Sequence, residues 1–292
     1  MRLAFCGSPS FAVPVLDALI DAGHDVACVV SRPDRRRGRG ARTTPTPVKA
    51  AALARGIAVT DRVDELESLA LDLGVVVAFG AMVPASVLEH TTMCNLHFSL
   101  LPRWRGAAPV ERAILAGDEV TGVSVMRLEP TLDTGPVYAR AVTVVDDKDL
   151  ESLRRELVAL GTGLLIELLE PGPDGLPEPV VQVGEPTYAK KVTDDELELD
   201  FGRPARELAR VVRLGPARTT ANGMRLIVRR CEALDDATGA PGELFEDVVS
   251  CGEGALRLIE IVPEGRRAMT PAAWRRGLRG EVPAHLGTTL GP

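Results

Sequence analysis

Arg2-Leu3-Ala4-Phe5-Cys6 and Asp25-Val26-Ala27-Cys28-Val29-Val30 are two short apolar runs, and residues 11–21 between them read as a helix closed by Gly23. Each run is bounded by turn residues, as strands buried on both faces are. The alternation continues outward. Residues 48–55 and 64–72 read as helices, and Gly74-Val75-Val76-Val77-Ala78-Phe79 as another buried strand. A short helix over 84–89 precedes a strand ending near residue 97. After a helix at 109–117, residues 121–128 and 136–145 alternate more openly, which predicts an antiparallel pair. Residues 149–170 place Leu153, Leu157, Leu160 and Leu164 on one helical face. Strands alternating with helices predict an α/β chain with a Rossmann-like, doubly wound, mostly parallel sheet.

The texture changes at residues 170–179, nearly all Pro, Gly, Asp or Glu, which read as a connector. Beyond it, a helix at 204–213 is followed by short strand-like runs at 225–230, 242–246, 248–251 and 256–261, the pattern of a small β-barrel. The expected division is a first domain over 1–185, a linker over 186–203 and a second domain over 204–292.

One stretch carries chemistry. Asn95-Leu96-His97-Phe98-Ser99-Leu100-Leu101-Pro102 places an amide and an imidazole two residues apart at a strand end, on one face of the strand. Pro102 stops regular pairing, and Trp104-Arg105-Gly106 reads as a loop into the next helix. Some thirty residues on, Leu132-Asp133-Thr134-Gly135 puts a carboxylate on a turn. An amide, an imidazole and a carboxylate suit attack of an amine on a carbonyl. A hydrogen-bonded strand terminus would also account for Asn95 and His97, and a turn-forming role for Asp133.

Composition narrows the class. With 45% hydrophobic and 26% charged residues the chain is that of a globular protein, and no apolar run approaches the roughly 20 residues of a membrane span. The opening reads as a buried strand rather than a secretion signal. Five scattered cysteines form no CxxC pair, so reduced core thiols and a cytoplasmic location are expected. The histidines are too far apart in sequence to suggest a metal site. Gly7-Ser8-Pro9 lacks the spacing of a dinucleotide or phosphate loop. The net charge of −7 hides a basic stretch: Arg32, Arg35, Arg36, Arg37, Arg39, Arg42 and Lys49 stand against Asp34. Arg266, Arg267, Arg275, Arg276 and Arg279 form a second group. Two basic patches on an acidic body are compatible with RNA binding over a limited surface, or with solvated faces.

Asn-x-His-x-Ser-Leu-Leu-Pro with the downstream Leu-Asp-Thr-Gly resembles the folate-dependent formyltransferase family. Phe5-Cys6-Gly7-Ser8-Pro9-Ser10-Phe11-Ala12 is similar to that family's opening strand and turn. Arg32-Pro33-Asp34, Gly38-Arg39-Gly40 and Pro45-Thr46-Pro47-Val48-Lys49 resemble the basic loop of the branch that acts on tRNA. Tyr188-Ala189-Lys190-Lys191-Val192 is similar to its entry into the C-terminal domain. The resemblance implies transfer of a formyl group from 10-formyltetrahydrofolate, a co-substrate, to the amino group of initiator methionyl-tRNA, with no metal. It implies catalysis by Asn95, His97 and Asp133. It implies a folate slot from Phe79, Gly80, Met82, Ser99, Leu100, Leu101 and Pro102, and tRNA contacts from Arg36, Arg39, Arg42, Lys49, Lys190 and Lys191. The second domain becomes an OB-like barrel that helps hold tRNA, and a monomer is expected.

The alternatives are a sister enzyme formylating an amino sugar nucleotide or other small amine, a hydrolase splitting formyltetrahydrofolate, and a non-catalytic RNA-binding protein. The basic loop argues against the first two and the intact trio against the third. Phe98 and Thr131 stand where many members carry Gly. Residues 60–74 are shortened, and 213–223 lack a usual aromatic.

Overall fold

The computed structural model describes residues 1–36, 43–236, 239–278 and 283–287. Its contacts form two units, and the boundary is not a single cut. The first comprises Met1–Val110, Val120–Val144 and Leu153–Lys190; the second comprises Glu111–Glu119, Val145–Ser152 and Lys191–Pro292.

In the first unit β1 (Arg2–Gly7), β2 (Asp25–Val30), β5 (Ala58–Thr60), β6 (Leu73–Val77) and β7 (Met93–His97) are joined in parallel, and β9 (Val120–Arg127) and β10 (Val137–Val144) extend the sheet antiparallel. The order is β10-β9-β7-β6-β1-β2-β5. Connections lead from β1 to β2 on one side and return to β6 on the other, so the topological switch lies between β1 and β6. The arms of the basic loop are β3 (Arg35–Arg36) and β4 (Thr43–Thr44), an antiparallel pair.

Helices α1 (Val13–Asp21), α2 (Pro47–Ala54), α3 (Ala85–His90), α4 (Pro109–Ala116) and α5 (Leu150–Leu169) connect the strands. Thr46 caps α2 by accepting the Lys49 amide, and Pro47 occupies its first turn. Both sheet faces are covered, as the apolar runs require. Ala4, Cys6 and Val76 pack with Leu66 and Val87. On β7, Leu96 lies against Gly161 of α5, where an added Cβ would come within 2.8 Å of the leucine side chain. Helix and sheet meet closely there because the helix offers no side chain.

Residues 64–72, expected to be helical, hold only a 3₁₀ stretch at Val63–Ser68. Val63, Leu66 and Leu69 recur every third residue and pack into one cluster, which suits three residues per turn better than 3.6. The stretch 186–203 is also not a bare linker. Strand β11 (Tyr188–Ala189) pairs with β8 (Arg105–Gly106), and Leu199 and Phe201 are buried in the core of the second unit. Two-residue strands give too little alternation to be read from sequence.

The second unit has a five-stranded antiparallel sheet: β12 (Ala217–Ala221), β13 (Met224–Leu234), β14 (Leu244–Phe245), β15 (Val248–Ser250) and β16 (Ala255–Pro263), ordered β12-β13-β16-β15-β14. Asn222 and Gly223 turn β12 into β13 with φ of 48° and 74°, the left-handed pair of a two-residue hairpin. Helix α6 (Ala205–Leu214) buries Leu208, Val211 and Val212 against the sheet. The edges β12 and β14 are joined by residues 284–287. The Gly287 amide donates to Thr220, that of Leu286 to Gly242, and that of Leu244 to Ala284, at 2.9, 2.8 and 2.7 Å. This closes the sheet into an OB-like barrel. Helix α7 (Pro271–Arg276), capped by Thr270, buries Trp274 on it.

Candidate active site

Strand β7 ends at His97, at the carboxyl edge of the parallel strands and one strand from the switch point. Asn95 and His97 share a face, and Cys94 and Leu96 point to the other and are fully buried. Burial pushes the Cys94 thiol up to about 12, so the neighbouring sulfur stays protonated and offers no nucleophile. Asn95 is half-buried, and among the described residues nothing hydrogen-bonds to its side-chain amide.

His97 is 6% exposed. Its Nε2 lies 2.9 Å from the Trp104 carbonyl. A carbonyl only accepts, so Nε2 carries the proton and Nδ1 faces Asp133, whose Oδ2 is 3.8 Å away. That spacing suits attraction between a cation and a carboxylate but is too long for a direct hydrogen bond. Asp133 Oδ2 accepts from the Gly106 amide at 2.7 Å, so the carboxylate is fixed whether or not His97 is charged.

Asp133 comes from the connection between β9 and β10. Leu128 begins it by donating to the Met93 carbonyl at 2.8 Å, and the chain returns along β7 until Asp133 meets His97. Asp133 has φ of 53°, in the left-handed region that aspartate tolerates better than most residues. Gly135 passes so close to β9 that a Cβ would stand 1.8 Å from the Arg127 carbonyl oxygen.

The loop after β7 is tied down equally. Ser99 donates to the Arg103 carbonyl at 2.6 Å, and Ser124 of β9 accepts from Leu101 and donates to Ser99. Trp104, with φ of 63°, donates its amide to the Thr187 hydroxyl at 2.8 Å, and Arg105 donates to the Thr187 carbonyl at the same distance. Gly106 then runs against Ala189, where an added Cβ would meet the carbonyl at 2.9 Å. Gln182 joins loop and turn. Its Nε2 donates to the Asp133 and Gly135 carbonyls at 2.9 and 2.8 Å, and its Oε1 accepts from Arg105 at 3.1 and 2.7 Å.

Asn95, His97 and Asp133 therefore come together. Of the proposed folate residues, Gly80 and Met82 are exposed and Leu100 and Pro102 half-buried beyond the same strand ends. Phe79, Ser99 and Leu101 are buried, and the Phe79 ring belongs to the core with Ala4 and Val83. The Phe98 ring is buried edge-on to Phe11, with centroids 5.8 Å apart. Of the basic residues, Arg36 lies in β3, Lys190 and Lys191 are exposed, and Lys49 pairs with Asp34 at 2.9 Å across the feet of the loop. Arg39 and Arg42 lie outside the described residues, as does Arg279 of the second basic group. The sequence reading has Arg105 and Gly106 only as part of a loop and does not mark Gln182. The available signal was one polar residue inside the apolar run Val180-Val181-Gln182-Val183.

No helix among the described residues is long and apolar enough to cross a membrane, and those residues hold no cluster suited to a metal ion. The fold and the sequence together define a class. The model for formyl transferases matches residues 1–169, and that for the formyl transferase C-terminal domain matches 191–279. Within that class the chain belongs to the methionyl-tRNA formyltransferase family. It is 43% identical to the methionyl-tRNA formyltransferase of Methylococcus capsulatus, over 92% of this chain and 94% of that one. To the Ruegeria pomeroyi enzyme it is 41% identical, over 99% and 100%. An N-formyltransferase of Helicobacter canadensis, solved with folinic acid and dTDP-3-aminofucose, shares the fold with a TM-score of 0.69 at 17% identity, covering 90% of this chain and 98% of that one. HypX of Aquifex aeolicus, solved with tetrahydrofolic acid, matches with a TM-score of 0.66 at 17% identity, over 94% and 46%.

Proposed function

We propose that the chain transfers the formyl group of 10-formyltetrahydrofolate to the amino group of methionyl-tRNA, giving N-formylmethionyl-tRNA for translation initiation, with Asn95, His97 and Asp133 as the reacting set. The observation that carries this is the division of labour around His97. Its Nε2 is committed to Trp104, which leaves Nδ1, facing Asp133 on the Asn95 side of the strand, to take a proton. The neutral amine attacks the formyl carbon, and the carbonyl electrons move onto oxygen. Asn95 donates to that oxyanion, a contribution typically worth about 10²–10³ in rate. His97 Nδ1 takes the proton released by the nitrogen, and Asp133 stabilises the resulting cation. Collapse of the tetrahedral species expels the folate nitrogen, and the imidazolium returns the proton to it.

In this reading residues 1–185 hold the folate and the chemistry. Gly80, Met82, Leu100 and Pro102 supply the accessible wall of the slot, backed by Phe79, Ser99 and Leu101. Arg36, Arg39, Arg42, Lys49, Lys190 and Lys191, with the barrel over 204–292, meet tRNA phosphates. Lys49 also braces the loop through Asp34. The acceptor is initiator methionyl-tRNA, and the enzyme works as a cytoplasmic monomer. The deciding experiment is label transfer from formyltetrahydrofolate with methionyl-tRNA, a nucleotide amino sugar and water offered in competition. Label is expected on methionyl-tRNA. Preferential labelling of the amino sugar, or release as formate, would overturn the proposal.

A further inference from the structure

We propose that Gln182 is a positioning residue for the reaction: it holds Asp133 against His97 by clamping the Asp133 turn to the loop after β7. The inference rests on the reading of Asp133 given above. The Gln182 side chain uses all four of its hydrogen-bonding positions. Two N–H groups go to the Asp133 and Gly135 carbonyls, and two lone pairs accept from the Arg105 guanidinium. Only one orientation of the amide fits, because the reverse would set donors against the guanidinium and acceptors against the carbonyls.

The geometry gives the clamp its purpose. Asp133 is held at its carboxylate by the Gly106 amide and at its backbone carbonyl by Gln182. Gly106 belongs to the same two-residue strand as Arg105, which Gln182 grips. Turn and loop are thus joined twice, once through Asp133 and once through Gln182. Asp133 and His97 stand 3.8 Å apart with no direct hydrogen bond to fix the spacing. Their separation is set by what holds each of them, and His97 is held by Trp104, next to Arg105. Val180 secures the strap by exchanging two backbone hydrogen bonds with Val137, both 2.8 Å. Removing the clamp loosens the turn without touching substrate, and a misplacement of about 1 Å in such a set costs on the order of a hundredfold.

The test compares Gln182→Ala, Gln182→Glu and Asp133→Asn, alone and combined, in the full-length enzyme. Gln182→Glu is nearly isosteric and keeps the grip on Arg105 but loses both donations to the turn. Both Gln182 variants are expected to lose kcat about tenfold or more, with KM for formyltetrahydrofolate and methionyl-tRNA changed by less than about twofold and a thermal midpoint lowered by a few degrees at most while the protein stays folded. In the Asp133→Asn background, Gln182→Glu should add little, because its effect passes through Asp133. Wild-type kcat in Gln182→Glu, a full multiplicative loss in the double variant, or unfolding of both single variants would overturn the inference. Wild-type turnover in Asp133→Asn would instead bring down the reading of the site itself, and the clamp with it.

Discussion

Asn95→Ala removes the one amide on the His97 face of β7 that no other described group engages. If it meets the oxyanion, turnover falls about a hundredfold or more while folate binding is retained. Asp133→Asn keeps the bond from Gly106 but loses the charge behind His97, so its kcat should fall severely too. Single-turnover rates alongside equilibrium folate binding check both; near-wild-type chemistry in Asn95→Ala would leave the oxyanion without its proposed donor. Strand spacing and an evident turn mark Asn95, His97 and Asp133 as candidates in the chain, and the family resemblance alone ties the three to one reaction. Arg105 and Gly106 read only as loop and Gln182 only as a polar break in an apolar run, since their contacts join positions up to 77 residues apart and no local spacing pairs them.

Whole elements are unevenly legible in the sequence, and apolar content together with length explains most of it. The apolar strands β1, β2 and β6 and the twenty-residue α5 announce themselves, whereas β5, β8 and β11 have three residues or fewer. The Asn222-Gly223 hairpin is the exception, a two-residue turn that its sequence marks strongly. On the turn between β9 and β10, Gly135→Ala must push Arg127 backbone aside, at a cost of about 1–3 kcal/mol, and should lower kcat at least tenfold by shifting Asp133. Denaturant titration and kinetics on one preparation would test both; a soluble, fully active variant would show that the turn has slack. On the basic loop, replacing Arg36, Arg39 and Arg42 by Ala should raise KM for methionyl-tRNA and flatten its salt dependence, with little change for formyltetrahydrofolate. An unchanged salt slope would make the loop a solvated face.

At the level of the whole molecule, the division into a sheet unit and a barrel unit is legible from the connector at 170–179 and the change of texture beyond about residue 204, but the boundary is not. Contacts assign 111–119 and 145–152 to the later unit, and no composition shift marks those segments. One ion pair inside that unit gives it a pH signature. Arg112 pairs bidentately with Glu196, whose carboxyl is held down at about 2 by that guanidinium and the Thr193 amide, against an ordinary 4.5. A depressed carboxyl stabilises the fold fully above its unfolded value, and the contribution drains away as pH falls from about 4.5 to 2. Glu196→Gln should therefore lower the thermal midpoint at pH 6 slightly and flatten its decline across that acid window. Parallel curves for the two proteins would remove Glu196 from the account. The same unit owes its closure to residues 284–287, which bond both sheet edges. A growing chain offers two unsealed β edges until that stretch has left the ribosome, so the interval between emergence of residues 263 and 287 is when the nascent protein is most open to pairing with a neighbouring copy.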